Sequence, residues 1–172
     1  DTSQQVITQP KLTCAEKIKH SIIPPKLDKV YLSNVSNTQR SELFSHEKHN
    51  LPKKQHLAKL LNWTMFDLMA QQQNIVMCGE DIGKKGGVYN VTSKLADTFG
   101  PQRIINTLLD EQSILGMAIG LAHNGFLPIP EIQFLAYVHN AEDQIRGEAA
   151  TLPFFSNGQF SNPMVIRVAG LA

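Results

Sequence analysis

The stretch "RIINTLLDEQSILGMAIGLAHNGFLPIPEIQ", Arg103 to Gln133, holds three patterns in succession. "RIINTLLD" is a short aliphatic run that reads as a buried strand, and "LPIPEIQ" reads as another. Between them, from Glu111 to His123, apolar residues recur all the way round a helical wheel, with Gly116 and Gly120 four positions apart. A helix of that kind is expected to be enclosed, and the glycine spacing to let another backbone approach closely. Two strands joined through a helix form a crossover unit, which pairs them in parallel.

The alternation continues on both sides. "NIVMCGED", ending its apolar run at Gly79, and "PMVIRVAG" near the C-terminus are two more strands. "LAKLLNWTMFDLMAQQQ" is an amphipathic helix whose buried face is expected to carry Leu57, Leu60, Leu61, Met65, Leu68 and Met69, with Trp63 and Phe66 as packing residues. "YVHNAEDQIRGEAATL" predicts a further helix, with Leu135, Val138, Ile145, Ala149 and Leu152 on one face and Glu142 one turn from Arg146. The expected class is α/β, an open parallel sheet covered on both faces by helices.

Residues 1–53 are of a different character. All 11 glycines lie at or after Gly79, and this first third is polar and punctuated by proline, so it reads as a linker or extended arm ahead of a folded domain at 54–172. It carries one short helical signal, "TCAEKIKHSII", where Thr13 and Glu16 can form a capping box and Pro24 and Pro25 stop the helix.

Composition bounds the rest. A chain of 172 residues, 42% of them hydrophobic, suits one domain with a buried core. Its 16 basic and 15 acidic residues form no block of one sign, so neither nucleic acid nor a membrane surface is expected as a partner. Cys14 and Cys78 lack metal-ligand and redox-pair spacing, which suits a reducing compartment. There is no apolar run of membrane length, and a start at Asp1 with an end at Ala172 in mid-pattern is expected of a piece of a longer protein. The glycine-rich "GKKGG" fits neither a Walker loop nor a dinucleotide fingerprint.

Open parallel sheets bind ligands beyond the carboxyl ends of their strands. The sequence puts Glu80 and Asp81, then Asp110 and Glu111, then "EIQFLAY" at those ends. Glu111 has two readings: a cap on the helix from an exposed loop, or an enclosed acid between a helix dipole that favours ionisation and burial that opposes it. Glu80 and Asp81 either line the cleft or order the "GKKGG" turn, the latter being preferred. Neither His123 nor His139 is assigned as a general base.

The succession "GEDIGKKGGVYNVTSKL", "FGPQRIINTLLDEQSILGMAIGLA", "LPIPEIQ", "DQIRGEAA" and "SNGQFSNPMVIR" resembles the beta subunit of the thiamine diphosphate-dependent 2-oxo acid dehydrogenases, the decarboxylating first component of those complexes. The resemblance runs from about Leu61 to Gly170 and implies the family's pyrimidine-binding domain, here without its last strands and without the catalytic histidine expected beyond Ala172. Glu111, Gly116, Met117, Gly120 and Leu121 match the family's glutamate and glycine pattern. Glu111 is then implied as the catalytic acid that hydrogen-bonds N1′ of the cofactor's aminopyrimidine. Tyr137 matches the aromatic that stacks on that ring, its alternative reading being core filling with a satisfied hydroxyl.

The resemblance implies thiamine diphosphate, with magnesium held mainly by an alpha subunit or alpha half, because the family's diphosphate motif is missing here. Implied partners are that alpha component, a second beta-like chain, the dihydrolipoyl acyltransferase component and a 2-oxo acid. "PIPEIQF" favours a branched-chain acid over pyruvate or 2-oxoglutarate. A bacterial cytoplasm is the favoured location, or the mitochondrial matrix in a eukaryote. The alternative is a non-catalytic remnant or assembly module of the same family, and the isolated chain is expected to be inactive.

Overall fold

The computed structural model describes residues 2–22 and 36–170. Seven α-helices are present among them: α1 (Thr2–Ile7), α2 (Ala15–Ile22), α3 (Asn37–Leu43), α4 (Leu57–Gln71), α5 (Leu95–Phe99), α6 (Glu111–His123) and α7 (Leu152–Phe155). Four strands, β1 (Ile75–Glu80), β2 (Ile104–Thr107), β3 (Leu127–Ile132) and β4 (Arg167–Val168), form one sheet in the order β2-β1-β3-β4. Every pairing is parallel, as the crossover pattern requires. β4 is shorter than "PMVIRVAG" suggests, with only Arg167 and Val168 in the ladder.

The sheet has a core on each face. On one side Met65 and Met69 of α4 meet Met77, Ile104 and Ile129 from three strands. On the other Ile114, Leu115 and Ala118 of α6 meet Cys78 and Ile132. Pleating sends alternate residues to opposite faces, so Glu80 follows Cys78 to the α6 side while Glu131 follows Ile129 to the α4 side. Gly79 is required where β1 passes β3, since a side chain there would meet the carbonyl oxygen of Glu131 at 2.9 Å.

Several expectations need correction. α4 is rotated from the face drawn on its sequence: Asn62, Trp63, Met65 and Met69 are buried, while Leu57, Leu60 and Leu68 stay exposed. The extra polar contact responsible is Asn62, whose Nδ2 donates to the carbonyls of Val91 (2.9 Å) and Ser93 (3.1 Å). Residues 135–149 are not one amphipathic α-helix. They form a 3-10 helix over Leu135–Ala141 and a π-helix over Asp143–Ala149. The tight turn sets Val138 and Ala141 in line and the wide turn then brings Ile145 to the same cluster. Leu135, at the first position of the 3-10 helix, is exposed. The predicted Glu142 to Arg146 pair is present at 3.9 Å.

The helix after Glu111 is enclosed on one side only. Ile114, Leu115, Ala118 and Ala122 are buried, whereas Gly116 and Gly120 are exposed, and a side chain at either would meet nothing within 4 Å. The N-terminal third holds three α-helices rather than one. None of residues 2–20 or 36–53 is buried, and Pro24 and Pro25 lie outside the described residues. Two ion pairs tie 36–53 to α4: Arg40 with Asp67, and Lys59 with Glu47 at 2.6 Å. Among the described residues no helix is long and apolar enough to cross a membrane.

Candidate functional site

The carboxyl ends of β1 and β2 are in register, Glu80 opposite Thr107, and both side chains follow the pleat to the α6 face. α6 begins at this edge. Asp110 takes its N-cap position without a side-chain bond to the helix backbone and accepts instead from the Ser113 hydroxyl. Glu111 turns inward and is only 7% exposed. The reading of Glu111 as a cap from an exposed loop therefore does not describe it.

A third segment closes on the same edge. Asn140, in the 3-10 helix after β3, donates from Nδ2 to Glu111 Oε2 at 3.3 Å. Tyr137, one turn earlier, is 41% exposed and meets Phe134 edge-on, with ring centroids 5.7 Å apart. The ring is therefore in contact with a neighbour yet substantially exposed, which does not fit core filling. His139 is exposed on this helix, and His123, at the far end of α6, bonds Asn162 at 3.1 Å.

The electrostatics of the edge are acidic. Burial pushes the Glu80 carboxyl above its usual range, and the negative charges of Asp81 and Glu111 push it further, with Lys85 opposing them. Glu80 and Glu111 are thus near enough to sense each other across the α6 face. Asp81 turns the other way and pairs with Lys85 at 2.8 Å. The two adjacent acids have separate tasks: Asp81 orders the turn, as expected of both, and Glu80 lines the edge. Among the described residues Glu111 forms no ion pair, so a neutral amide and an acid are its nearest polar company. The Thr107 hydroxyl on this face is buried without a hydrogen-bond partner.

The opposite face carries a contrasting arrangement. Glu131, 1% exposed, is paired with the Arg167 guanidinium of β4 and accepts from the Val88 N–H at 3.4 Å. Gly87, with φ 67°, leaves room for that carboxylate, because a side chain there would sit 3.2 Å from Glu131 Oε1. Glu131 thereby fastens the glycine-rich turn to the sheet. Asn140 and Thr107 were missed in the sequence, and for Glu80 the less favoured of two readings, lining the cleft, is the one that fits. Counting pleats back from Cys78 could have placed Glu80, but nothing local announces a donor 29 residues from Glu111.

Among the described residues no group of three or more His, Cys, Asp and Glu side chains could hold a metal ion. The edge gathers a buried acid, a neutral donor, a second acid whose pKa is raised and a partly exposed aromatic ring. Such a set can hold and pass a proton to a flat heteroaromatic base.

Comparison with known proteins bears on the family of the chain. Residues 53–153 match the family described as transketolase, pyrimidine binding domain. The chain is 38% identical over 112 residues to the 3-methyl-2-oxobutanoate dehydrogenase subunit beta of Mycobacterium tuberculosis, covering 65% of this chain and 32% of that protein. It is 38% identical over 99 residues to the pyruvate dehydrogenase E1 component subunit beta of Bacillus subtilis, covering 58% and 30%. It is 40% identical over 109 residues to the mitochondrial 2-oxoisovalerate dehydrogenase subunit beta of Chaetomium thermophilum, covering 63% and 23%. The chain thus spans a third or less of these relatives. The matched span covers more than half of the chain and suits its parallel sheet: the chain belongs to the transketolase pyrimidine-binding domain family, and the relatives it is similar to are 2-oxo acid dehydrogenase beta subunits.

Proposed function

We propose that this chain supplies the pyrimidine-binding part of a 2-oxo acid dehydrogenase first component, with Glu111 as the acid that exchanges a proton with the cofactor's aminopyrimidine. The observation that carries this reading is a carboxyl group buried at the mouth of α6, bonded by a neutral amide and facing a second acid rather than a cation. A carboxyl bonded by a single neutral amide keeps an oxygen for a ring nitrogen, whereas an ion-paired one is committed to its cation.

The residues present fit the aminopyrimidine end of thiamine diphosphate. Tyr137 offers a partly exposed ring for stacking, and Glu111 offers an acid for a ring nitrogen. The unpartnered Thr107 hydroxyl on the same face is a further polar group at this edge. When bound, the cofactor supplies the nucleophilic carbon and the electron sink for decarboxylation; the chain supplies position and proton traffic. Magnesium and the diphosphate are assigned to an alpha subunit or alpha half. The exposed glycine face of α6 is assigned to a second, beta-like chain, and the dihydrolipoyl acyltransferase component is the acceptor of the product.

The substrate proposed is a branched-chain 2-oxo acid. The "PIPEIQF" strand supports it, and relatives named for 3-methyl-2-oxobutanoate and 2-oxoisovalerate stand beside others named for pyruvate. The compartment follows the host, bacterial cytoplasm or mitochondrial matrix. The test is Glu111→Gln in the full-length enzyme assembled with its alpha component. Turnover should fall by about 10²- to 10⁴-fold, the usual weight of a positioned acid. Exchange of the cofactor's thiazolium proton with deuterated solvent should slow in parallel, while Asp110→Asn changes either rate much less. Wild-type exchange in Glu111→Gln would remove the assignment.

A further inference from the structure

A second site lies on the α4 face, away from Glu111. The arm around Phe44 and Glu47, the first half of α4 and the turn from Tyr89 to Lys94 enclose a cavity of about 590 Å³, within the range of small-molecule sites. The family match begins at residue 53, so the arm's wall of this cavity lies outside it.

The cavity's charge is one-sided. Glu47 is the only acid on its walls, and its carboxylate is already engaged by Lys59 at 2.6 Å and Asn50 at 3.0 Å. Those bonds hold Glu47 below the usual carboxylate range, Lys59 first and Asn50 next, with the nearby Lys94 adding to the effect. Lys94 itself is exposed, and among the described residues its ammonium has no hydrogen bond or ion pair. His46 and His56 line the same space. One carboxylate thus serves two lysines, in contact with Lys59 and only at longer range with Lys94, whose ammonium keeps its donors open.

Aromatic rings form one part of the wall: Trp63 lies beneath the Lys59 ammonium, 5.4 Å from the ring centroid, and Phe44 and Phe66 line the same space. The turn is held in an uncommon backbone. Tyr89, Asn90 and Lys94 have φ of 56°, 58° and 64°, in the left-handed region, although none is glycine. Such strain persists only where surrounding contacts impose it, and it gathers at ligand clamps. Here the bonds from Asn62 to Val91 and Ser93, and from the Thr92 hydroxyl to Ile82 (2.8 Å), impose it.

We propose that this cavity binds a small carboxylate with a flat apolar body, the carboxylate on Lys94 and the body against Trp63 and Phe66. Trp63 is the only tryptophan of the chain, so its fluorescence reports on this site directly. The experiment titrates the full chain with phenylacetate, phenylacetamide and phenethylamine. Phenylacetate should give a saturable change, and the neutral amide should bind about tenfold more weakly, the loss expected when a charge-assisted bond is removed. Phenethylamine should bind no better than the amide. Lys94→Gln should reduce phenylacetate to the affinity of the amide, and Lys94→Arg should restore it, with melting temperatures confirming that both variants fold. A flat titration, equal affinity for acid and amide, or wild-type affinity in Lys94→Gln would overturn the proposal.

Discussion

Glu111 and Glu131 are buried carboxylates near the same edge of one sheet, and the sheet puts them in opposite environments. Glu131 faces a guanidinium and a backbone N–H on the α4 side. Glu111 faces an amide and another acid on the α6 side. The difference separates a carboxylate committed to an ion pair from one that is not, as the proposed role of Glu111 requires. Burial alone does not distinguish the two; the charge of the neighbour does.

The sharpest way to break this contrast is to remove a partner from each. Arg167→Leu leaves Glu131 buried and unpaired, and about 3–5 kcal/mol of stability should be lost by urea denaturation. Glu111→Gln keeps a hydrogen-bonding group of the same shape and should cost less than about 1 kcal/mol. Equal losses would show that both acids are structural. The same comparison applies to α6 itself, whose buried side packs on the sheet and whose glycine side is open. In the assembled enzyme Gly116→Leu should weaken association by about 1–3 kcal/mol through overpacking, read by sedimentation. In this chain alone it should leave melting unchanged or raise stability by up to about 1 kcal/mol, since leucine favours helix over glycine. An unchanged assembly would show that this face has no partner.

A smaller effect concerns Glu80. Its folded pKa is raised, so the folded state binds its proton more tightly than the unfolded chain does. The stability this brings is present at acid pH and disappears as pH rises through the folded pKa. Glu80→Gln should therefore match wild type in acid and become the more stable of the two toward neutral pH, by thermal melts across that range. A variant that is less stable at neutral pH would mean that the Glu80 charge is compensated. The smallest perturbation is chemical. Cys78 is fully buried with its thiol pushed up to about 12, while Cys14 is exposed. One equivalent of a thiol reagent should react with the native chain, at Cys14, and the second only on unfolding.

The parallel sheet was legible because apolar runs and helical spacing are local properties, and all four expected strands lie in one sheet. Glu111 was legible in the same way, as an acid at the start of an apolar helix. Its partner Asn140 was not, because a polar residue in a surface-like helix carries no mark of the carboxylate it reaches. The lower face of α4 was misjudged for a related reason. Counting apolar residues cannot foresee that Asn62 is drawn inward by the carbonyls of a strained turn, or that Leu57 and Leu60 are left outside.

The sequence by itself determined the order of strands and helices, the acid at the mouth of α6 and the polar character of the first third, since each depends on residues close together in the chain. Tertiary structure decided the rest. It set the roll of α4, the change from 3-10 to π turns after β3, the open glycine side of α6 and the sorting of the acids into paired and unpaired. Those outcomes depend on which distant groups meet, and a buried charge or carbonyl is satisfied by whatever the fold brings to it.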